Sequence, residues 1–368
     1  MTLSRPPEMG SASPHIRLSS TGSYPRVSDT PESHLLERTV VSFDRGERTS
    51  ADLLDAQNTV TRHVIAEQVR AGLEIVTDGL IRWNDPISHF AGKLDNVTFQ
   101  ESFPFLGTTK LFRQPIFLGR PARRVALVLD EYSFARNALG HLRTPPGKAG
   151  KLAVKPVLTG PYTLAKHSTA EERHTNGFGS QLASLEDRVI AYAEIIALEI
   201  EALVQSGAHL IQIDEPAILR HAADWSVFIS AIAILTASRD KLRSSGRKLD
   251  LALYTYFGDA SPLYEKFVGL PVDILGFDFT SDATLFDTIV SAGSPKPLAL
   301  GLLDGCKPEM ENSSSVVRQI ERLLPKIKAD QIFLGTSCGL ESLPATTAFA
   351  KLALLPSVLA ELSGIPKS

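Results

Sequence analysis

The chain has 368 residues, enough for one large α/β domain with insertions or two ordinary domains, and its 43% hydrophobic and 21% charged content supports a sizeable core. A net charge of −3 with no basic stripe argues against nucleic acid as a partner. Two cysteines exclude a disulfide framework, no uninterrupted apolar run is long enough to span a bilayer, and a cytoplasmic location is the expectation.

Met1 to His15 is rich in Ser and Pro, lacks the apolar segment of a signal peptide and reads as a flexible tail; 16–368 reads as one domain. Ile16 to Ser20 is a short strand, followed by the turn Thr21-Gly-Ser-Tyr-Pro-Arg26. A helical stretch runs from Ser33 to Val41, with a polar break at Asp44 to Glu47. Ser50 is the expected N-cap of a helix to about Ala71, whose Leu53, Leu54, Val60, Val64, Ile65 and Val69 fall roughly on one face. Gly72 ends it, and Leu73 to Asp78 is the second strand.

An insertion of about 96–150 breaks the rhythm. Val97 to Phe99, Lys110 to Phe112 and Pro115 to Leu118 are β-prone pieces divided by Gly and Pro, which predicts a small antiparallel excursion after the second strand. Ala126 to Leu129 is either a further strand of it or the approach to a helix, and Pro145 to Lys151 is a linker. The pattern is then regular. Strands are predicted at Ala153–Leu158, from His209, and at Asp250–Tyr256, Val272–Phe277, Pro297–Leu302 and Gln331–Gly335. Helices are predicted at Leu185–Gln205, Trp225–Leu242, Leu263–Val268, Ala283–Val290, Ser314–Ile327 and Ala345–Leu362. Eight strands alternating with helices point to an α/β fold, a (β/α)8 TIM barrel. The alternative, a doubly wound open sheet binding a dinucleotide, lacks its glycine-rich loop.

In a barrel the residues just after each strand share one face. They include Gly22-Ser23, Asp78 with Asn84-Asp85, Thr159-Gly-Pro161, Asp214-Glu215, Tyr256 with Asp259, Asp278, Asp304 with Cys306, and Cys338 with Glu341. The centre of this ring is His209-Leu-Ile-Gln-Ile-Asp-Glu-Pro216, an apolar strand closed by two carboxylates and a proline. Either carboxylate could instead cap the next turn. Both cysteines fall in turns, and Lys307 beside Cys306 would lower its thiol pKa if the side chains point the same way. Trp83 either lines the pocket or packs in the core, and His63 and His89 carry no assigned role.

These motifs, in this order, resemble the cobalamin-independent methionine synthase family. The likeness rests on Thr77-Asp-Gly79 with Asn84-Asp85, Thr159-Gly-Pro161, Ile211 to Ala217, Gly301-Leu-Leu-Asp304 and Cys338-Gly-Leu340. It implies a single (β/α)8 barrel of the short type that moves a methyl group from a folate, or from a methyl-corrinoid protein, to the thiol of homocysteine held on zinc. By the resemblance, Asp214 holds the substrate ammonium and the Gly22-Ser23 turn its carboxylate. Glu215, Asp78, Asn84 and Tyr256 complete the substrate site. Cys306 and Asp304 are the catalytic candidates, and His167 falls near the donor site. Cys338 matches one zinc ligand and Asp278 stands near another. The rest of the metal cage departs from the family: Tyr256 and Gly258 stand where His and Cys are expected, Leu80 replaces a second ammonium-binding carboxylate, and Cys306 replaces an acid/base histidine. Cys306, Cys338 and Asp278 would give a rearranged three-ligand site, short of the usual four. The expected function is therefore methionine-synthase-like methyl transfer. The alternatives are a metal-free enzyme with changed chemistry and a barrel that binds a small ligand without catalysis.

Overall fold

A chain that repeats apolar strand and amphipathic helix must cover both faces of every strand, and a closed parallel ring inside a shell of helices does so. In the computed structural model, which describes residues 14–26, 30–106, 108, 111–142, 152–170 and 182–364, the chain forms that ring. The strands, in chain order, are β1 (His15–Leu18), β2 (Ile75–Val76), β3 (Leu94–Pro104), β4 (Leu111–Arg123), β5 (Ala153–Val154), β6 (Val157–Thr159), β7 (Thr169–Ala170), β8 (Leu210–Asp214), β9 (Asp250–Thr255), β10 (Ile274–Asp278), β11 (Leu298–Leu303) and β12 (Gln331–Thr336). Seven pair in parallel in the order β1-β12-β11-β10-β9-β8-β6. The gap between β6 and β1 is closed by the parallel pair β2-β5. Ser20 N donates to Ile75 O (2.8 Å), Glu74 N to Leu18 O (2.9 Å) and Lys155 N to Val76 O (2.8 Å), so β2 bridges β1 and β5. Strands β5 and β6 are one barrel strand interrupted at Lys155-Pro156, where proline has no N–H for the ladder.

The helices are α1 (Pro31–Asp44), α2 (Ser50–Arg70), α3 (Ser88–Ala91), α4 (Leu129–Gly140), α5 (Pro161–Lys166), α6 (Leu185–Gln205), α7 (Trp225–Ser244), α8 (Tyr264–Val268), α9 (Thr284–Ala292), α10 (Ser313–Leu323) and α11 (Ala345–Leu362). Val189, Ala193, Ile196 and Leu203 of α6 are fully buried, as the helical period predicts. On α2 the face is narrower than expected: Val60, Val64 and Ile65 are buried, but Leu54 is 42% exposed. The cap of α2 is Thr49, not Ser50. The Thr49 side chain accepts from Asp52 N and the Asp52 carboxylate accepts from Thr49 N, a reciprocal capping box. Thr49→Ala is expected to cost about 1 kcal/mol in urea unfolding, and Ser50→Ala much less.

The three β-prone pieces of the insertion merge into the long antiparallel pair β3-β4, joined in parallel by β7. Ala126 to Leu129 proves to be the approach to a helix, α4, and α3 and α5 are helices that the hydrophobic pattern did not announce. The expected second strand shrinks to Ile75–Val76. The tail up to residue 13, Lys110 and the linker at 145–151 lie outside the described residues. Helix α11 is the one described helix long and apolar enough to cross a membrane. Its Ala348, Leu352, Leu355 and Val358 are fully buried in the main apolar core.

Candidate active site

A cleft of about 470 Å³ opens at the carboxyl ends of the barrel strands. It gathers six of the sequence candidates: Gly22, Ser23, Asn84, Asp214, Tyr256 and Cys306. Glu341 and Leu80, which the sequence placed at this end of the barrel without giving them a role, also line it, as does Arg26.

Asp214 ends β8, where the apolar strand delivers it to the floor of the cleft. Gln212 Nε2 donates to its Oδ1 (2.7 Å) and the Tyr256 hydroxyl to its Oδ2 (3.0 Å). Burial pushes the Asp214 carboxyl up to about 7, against the lowering effect of these two hydrogen bonds and of the nearby Lys155 charge. Lys155 is fully buried in the barrel, donating to Ser20 O (2.8 Å) and lying 4.7 Å from the centre of the Tyr254 ring. Burial pushes its ammonium down to about 7, opposed by the Asp214 charge. A lysine and a glutamine inside apolar strands were the sequence signals for this support, since each needs a partner in the core.

The Gly22-Ser23 turn is clamped from two sides. Thr77 Oγ1 donates to Gly22 O (2.6 Å), Leu340 N to Ser23 O (2.8 Å), and the Ser23 hydroxyl to Glu341 Oε2. Asn84 Oδ1 accepts from Arg26 Nη1 (2.7 Å), which also donates to Trp83 O (2.8 Å). Trp83 both lines the cleft and stacks on His89 at 4.9 Å, so its two sequence readings are both realised. Leu80 (φ 52°) and Phe257 (φ 63°), both lining the cleft, hold left-handed backbone without being glycine. Such strain persists only where its surroundings enforce it, and it concentrates at functional sites.

Six other candidates sit elsewhere. Glu215 turns away from Asp214 and is fully buried: its Oε1 accepts from Tyr162 N (2.9 Å) and its Oε2 from Thr163 N (2.7 Å) and Thr163 Oγ1 (2.6 Å). It caps α5, because the first N–H groups of a helix have no partner of their own. Asp78 lies behind Leu80 and Trp83 in a separate small cavity beside Glu131, and burial raises it to about 6. The His167 ring packs on Phe105 and Phe112, with Nδ1 bonded to Thr163 O (2.8 Å), and is outside the cleft lining. Asp304 Oδ1 accepts from Cys306 N (2.8 Å) and Lys307 N (3.2 Å), so it shapes the turn that presents Cys306. Lys307 pairs with Asp304 (3.3 Å). The Cys306 thiol is lowered chiefly by the hydrogen bond from Cys338, its neighbour at 3.5 Å; Lys307 is not among the causes. Cys338 is itself buried, behind Cys306.

Asp278, the other metal candidate, is spent on its own turn. Its Oδ1 accepts from Thr280 N (2.8 Å), Thr280 Oγ1 (2.8 Å) and Ser281 N (3.1 Å), and its Oδ2 from the Ser281 hydroxyl. The Tyr256 hydroxyl is bonded to Asp214, and Gly258 offers no side-chain donor. Among the described residues no three His, Cys, Asp or Glu side chains are grouped to hold a metal ion. The rearranged Cys306-Cys338-Asp278 site is therefore not assembled, and the residues present do not fit a tetrahedral zinc cage.

An eight-stranded parallel barrel with its polar residues converging at the carboxyl ends is the architecture of a TIM-barrel enzyme. The family model described as "Cobalamin-independent synthase, Catalytic domain" matches residues 18–360, and the chain belongs to that family. The methionine synthase of Saccharolobus solfataricus is 26% identical over 332 residues, 90% of each chain. That of Methanothermobacter marburgensis is also 26% identical, over 90% of this chain and 95% of its own. Among solved structures, a B12-independent methionine synthase from Shewanella, in complex with selenomethionine, superposes with a TM-score of 0.68 at 20% identity, covering 95% of this chain and 97% of that one. A putative vitamin-B12-independent methionine synthase from Listeria monocytogenes gives 0.69 at 16%, covering 95% and 99%. These two share the barrel fold. The family is one of methyltransferases, and the chain is read as an enzyme of that class.

Proposed function

We propose that the cleft binds homocysteine and that the protein transfers a methyl group to its thiol. The observation that carries this reading is Asp214: a carboxylate at the floor of the cleft, with both oxygens oriented by neighbours, poised to pair with an amino acid's ammonium. The Gly22-Ser23 turn supports it. With its carbonyls bonded to Thr77 and Leu340, its N–H edge is what the turn would offer a substrate carboxylate. Methyl transfer to sulfur is an in-line displacement, so the donor must be lined up with the thiol. A methylated folate and a methyl-corrinoid protein are the two donor classes to test.

A second reading is favoured by one observation. Tyr256, standing where the family resemblance implies a metal ligand, is engaged with Asp214 instead. That arrangement suits a barrel that binds the amino acid without transferring a methyl group, or one that activates the thiol without the usual cage. The test is thermal unfolding with homocysteine beside turnover with each donor class. Methyl transfer is expected with one donor and stabilisation by homocysteine in its absence. Stabilisation without turnover would leave binding alone, and neither would overturn the assignment.

A further inference from the structure

The two cysteines of the chain come from different barrel strands, yet their sulfurs lie 3.5 Å apart. Gly305 lets the loops after β11 and β12 approach this closely: a Cβ there would stand 2.8 Å from Cys338 O and 2.9 Å from Cys338 Sγ. Cys306 is exposed and lines the cleft, whereas Cys338 is 1% exposed. Cys338 Sγ also donates to Gly339 O at 3.4 Å and accepts from the Ser337 hydroxyl at 3.8 Å, so its other polar contacts lie within its own loop.

We propose that Cys306 and Cys338 form a thiol–disulfide exchange centre that accepts low-molecular-weight disulfides from the cleft. The division of labour follows from access. Cys306 is the attacking thiol, because it is exposed in the cleft and a small disulfide reaches it there. Cys338, buried with its sulfur 3.5 Å from that of Cys306, is the resolving thiol.

The Cys306 sulfur bonds to one sulfur of the small disulfide, whose S–S bond breaks. The first small thiolate leaves with the bond pair and takes up the Cys306 proton. Cys338 then bonds to Cys306 Sγ, the mixed disulfide breaks, and the second small thiolate leaves with the Cys338 proton. Two electrons pass from the protein to the small disulfide, giving one protein disulfide and two small thiols. The sulfurs must close by about 1.5 Å to reach the S–S bond length of about 2.05 Å, a movement within reach of side-chain rotation.

The inference does not depend on methyl transfer, and its test reads a different quantity. The full-length protein is treated with 2-hydroxyethyl disulfide, and intact mass and free thiols are followed. Wild type is expected to lose two hydrogen masses and both free thiols, without retaining an adduct, and to recover them with dithiothreitol. Cys338→Ser is expected to trap one mercaptoethanol adduct on Cys306. Cys306→Ser is expected to react at least tenfold more slowly. Two outcomes would overturn the proposal: a stable adduct on the wild type with no ring closure, or equal modification of both single variants. Homocysteine-dependent stabilisation of the reduced protein, measured alongside, reads the amino-acid site separately.

Discussion

Asp214→Asn is expected to weaken homocysteine binding by about thirtyfold or more, because removing one member of a buried charge pair costs about 2–5 kcal/mol. Isothermal titration at pH 7.5 measures it directly. The pH dependence supplies a second signature. In the free protein, burial raises Asp214 to about 7, well above its ordinary 3.8. Below that value the carboxyl carries a proton that an ammonium ligand must displace. Affinity should fall by about tenfold for each pH unit below 7 and level off above it. In Asp214→Asn the dependence should flatten. Tyr256→Phe removes one donor to the ionised carboxylate and should raise the midpoint of the profile while leaving binding measurable. A wild-type affinity unchanged between pH 5 and pH 8 would show that Asp214 is not the ammonium's partner. The free protein runs the opposite way: a folded-state pKa above the unfolded one gives stability that is present below about pH 4 and lost as pH rises through 7.

The eight-stranded alternation was legible because barrel strands are covered on both faces and read as apolar runs closed by turns. Helices α6 and α11 end where the pattern says they do. Strand β2 was overestimated at its far end, because Thr77 N and O are both taken by the side-chain amide of Gln68 and not by a neighbouring strand. Helix α4 was only one of two readings after Ala126 because its start is set by a distant residue. Glu199 of α6 accepts from Leu127 N (2.9 Å), Val128 N (2.8 Å) and Leu129 N (2.9 Å), a cap that no local pattern records. The site follows the same rule. The strand ends that reach the cleft were readable from position, but whether a carboxylate faces ligand or backbone was not. Asp214 and Glu215 are adjacent in sequence and, because side chains alternate along extended chain, point to different places. Asp78, Asp278 and Asp304 likewise satisfy nearby N–H groups within their own turns, which is the common use of Asp after a strand.

The second large effect falls on stability and tests the separation of the two adjacent carboxylates. Glu215→Ala is expected to destabilise the protein by about 3–5 kcal/mol in urea unfolding. It strands the Tyr162 and Thr163 N–H groups and the Thr163 hydroxyl in a buried site, where each unpaired donor costs about 1–3 kcal/mol. Against a total of about 5–15 kcal/mol, that is a substantial share. Gly160→Ala should be comparably damaging, since a Cβ there would lie 2.1 Å from Glu215 Cδ, and both side chain and helix would have to shift. Glu215→Gln keeps the shape and one acceptor oxygen but turns an amide N–H₂ toward donors, so an intermediate loss is expected. Burial raises the Glu215 carboxyl to about 7, so its ionisation draws on stability as pH rises from about 4.5 through 7. The Gln variant should show a correspondingly smaller loss over that interval. The folded fraction of Glu215→Gln should bind homocysteine with near wild-type affinity, because the residue anchors α5 and touches nothing in the cleft. A Glu215→Gln protein that is as stable as wild type but has lost the ligand would reverse the roles assigned to the two carboxylates.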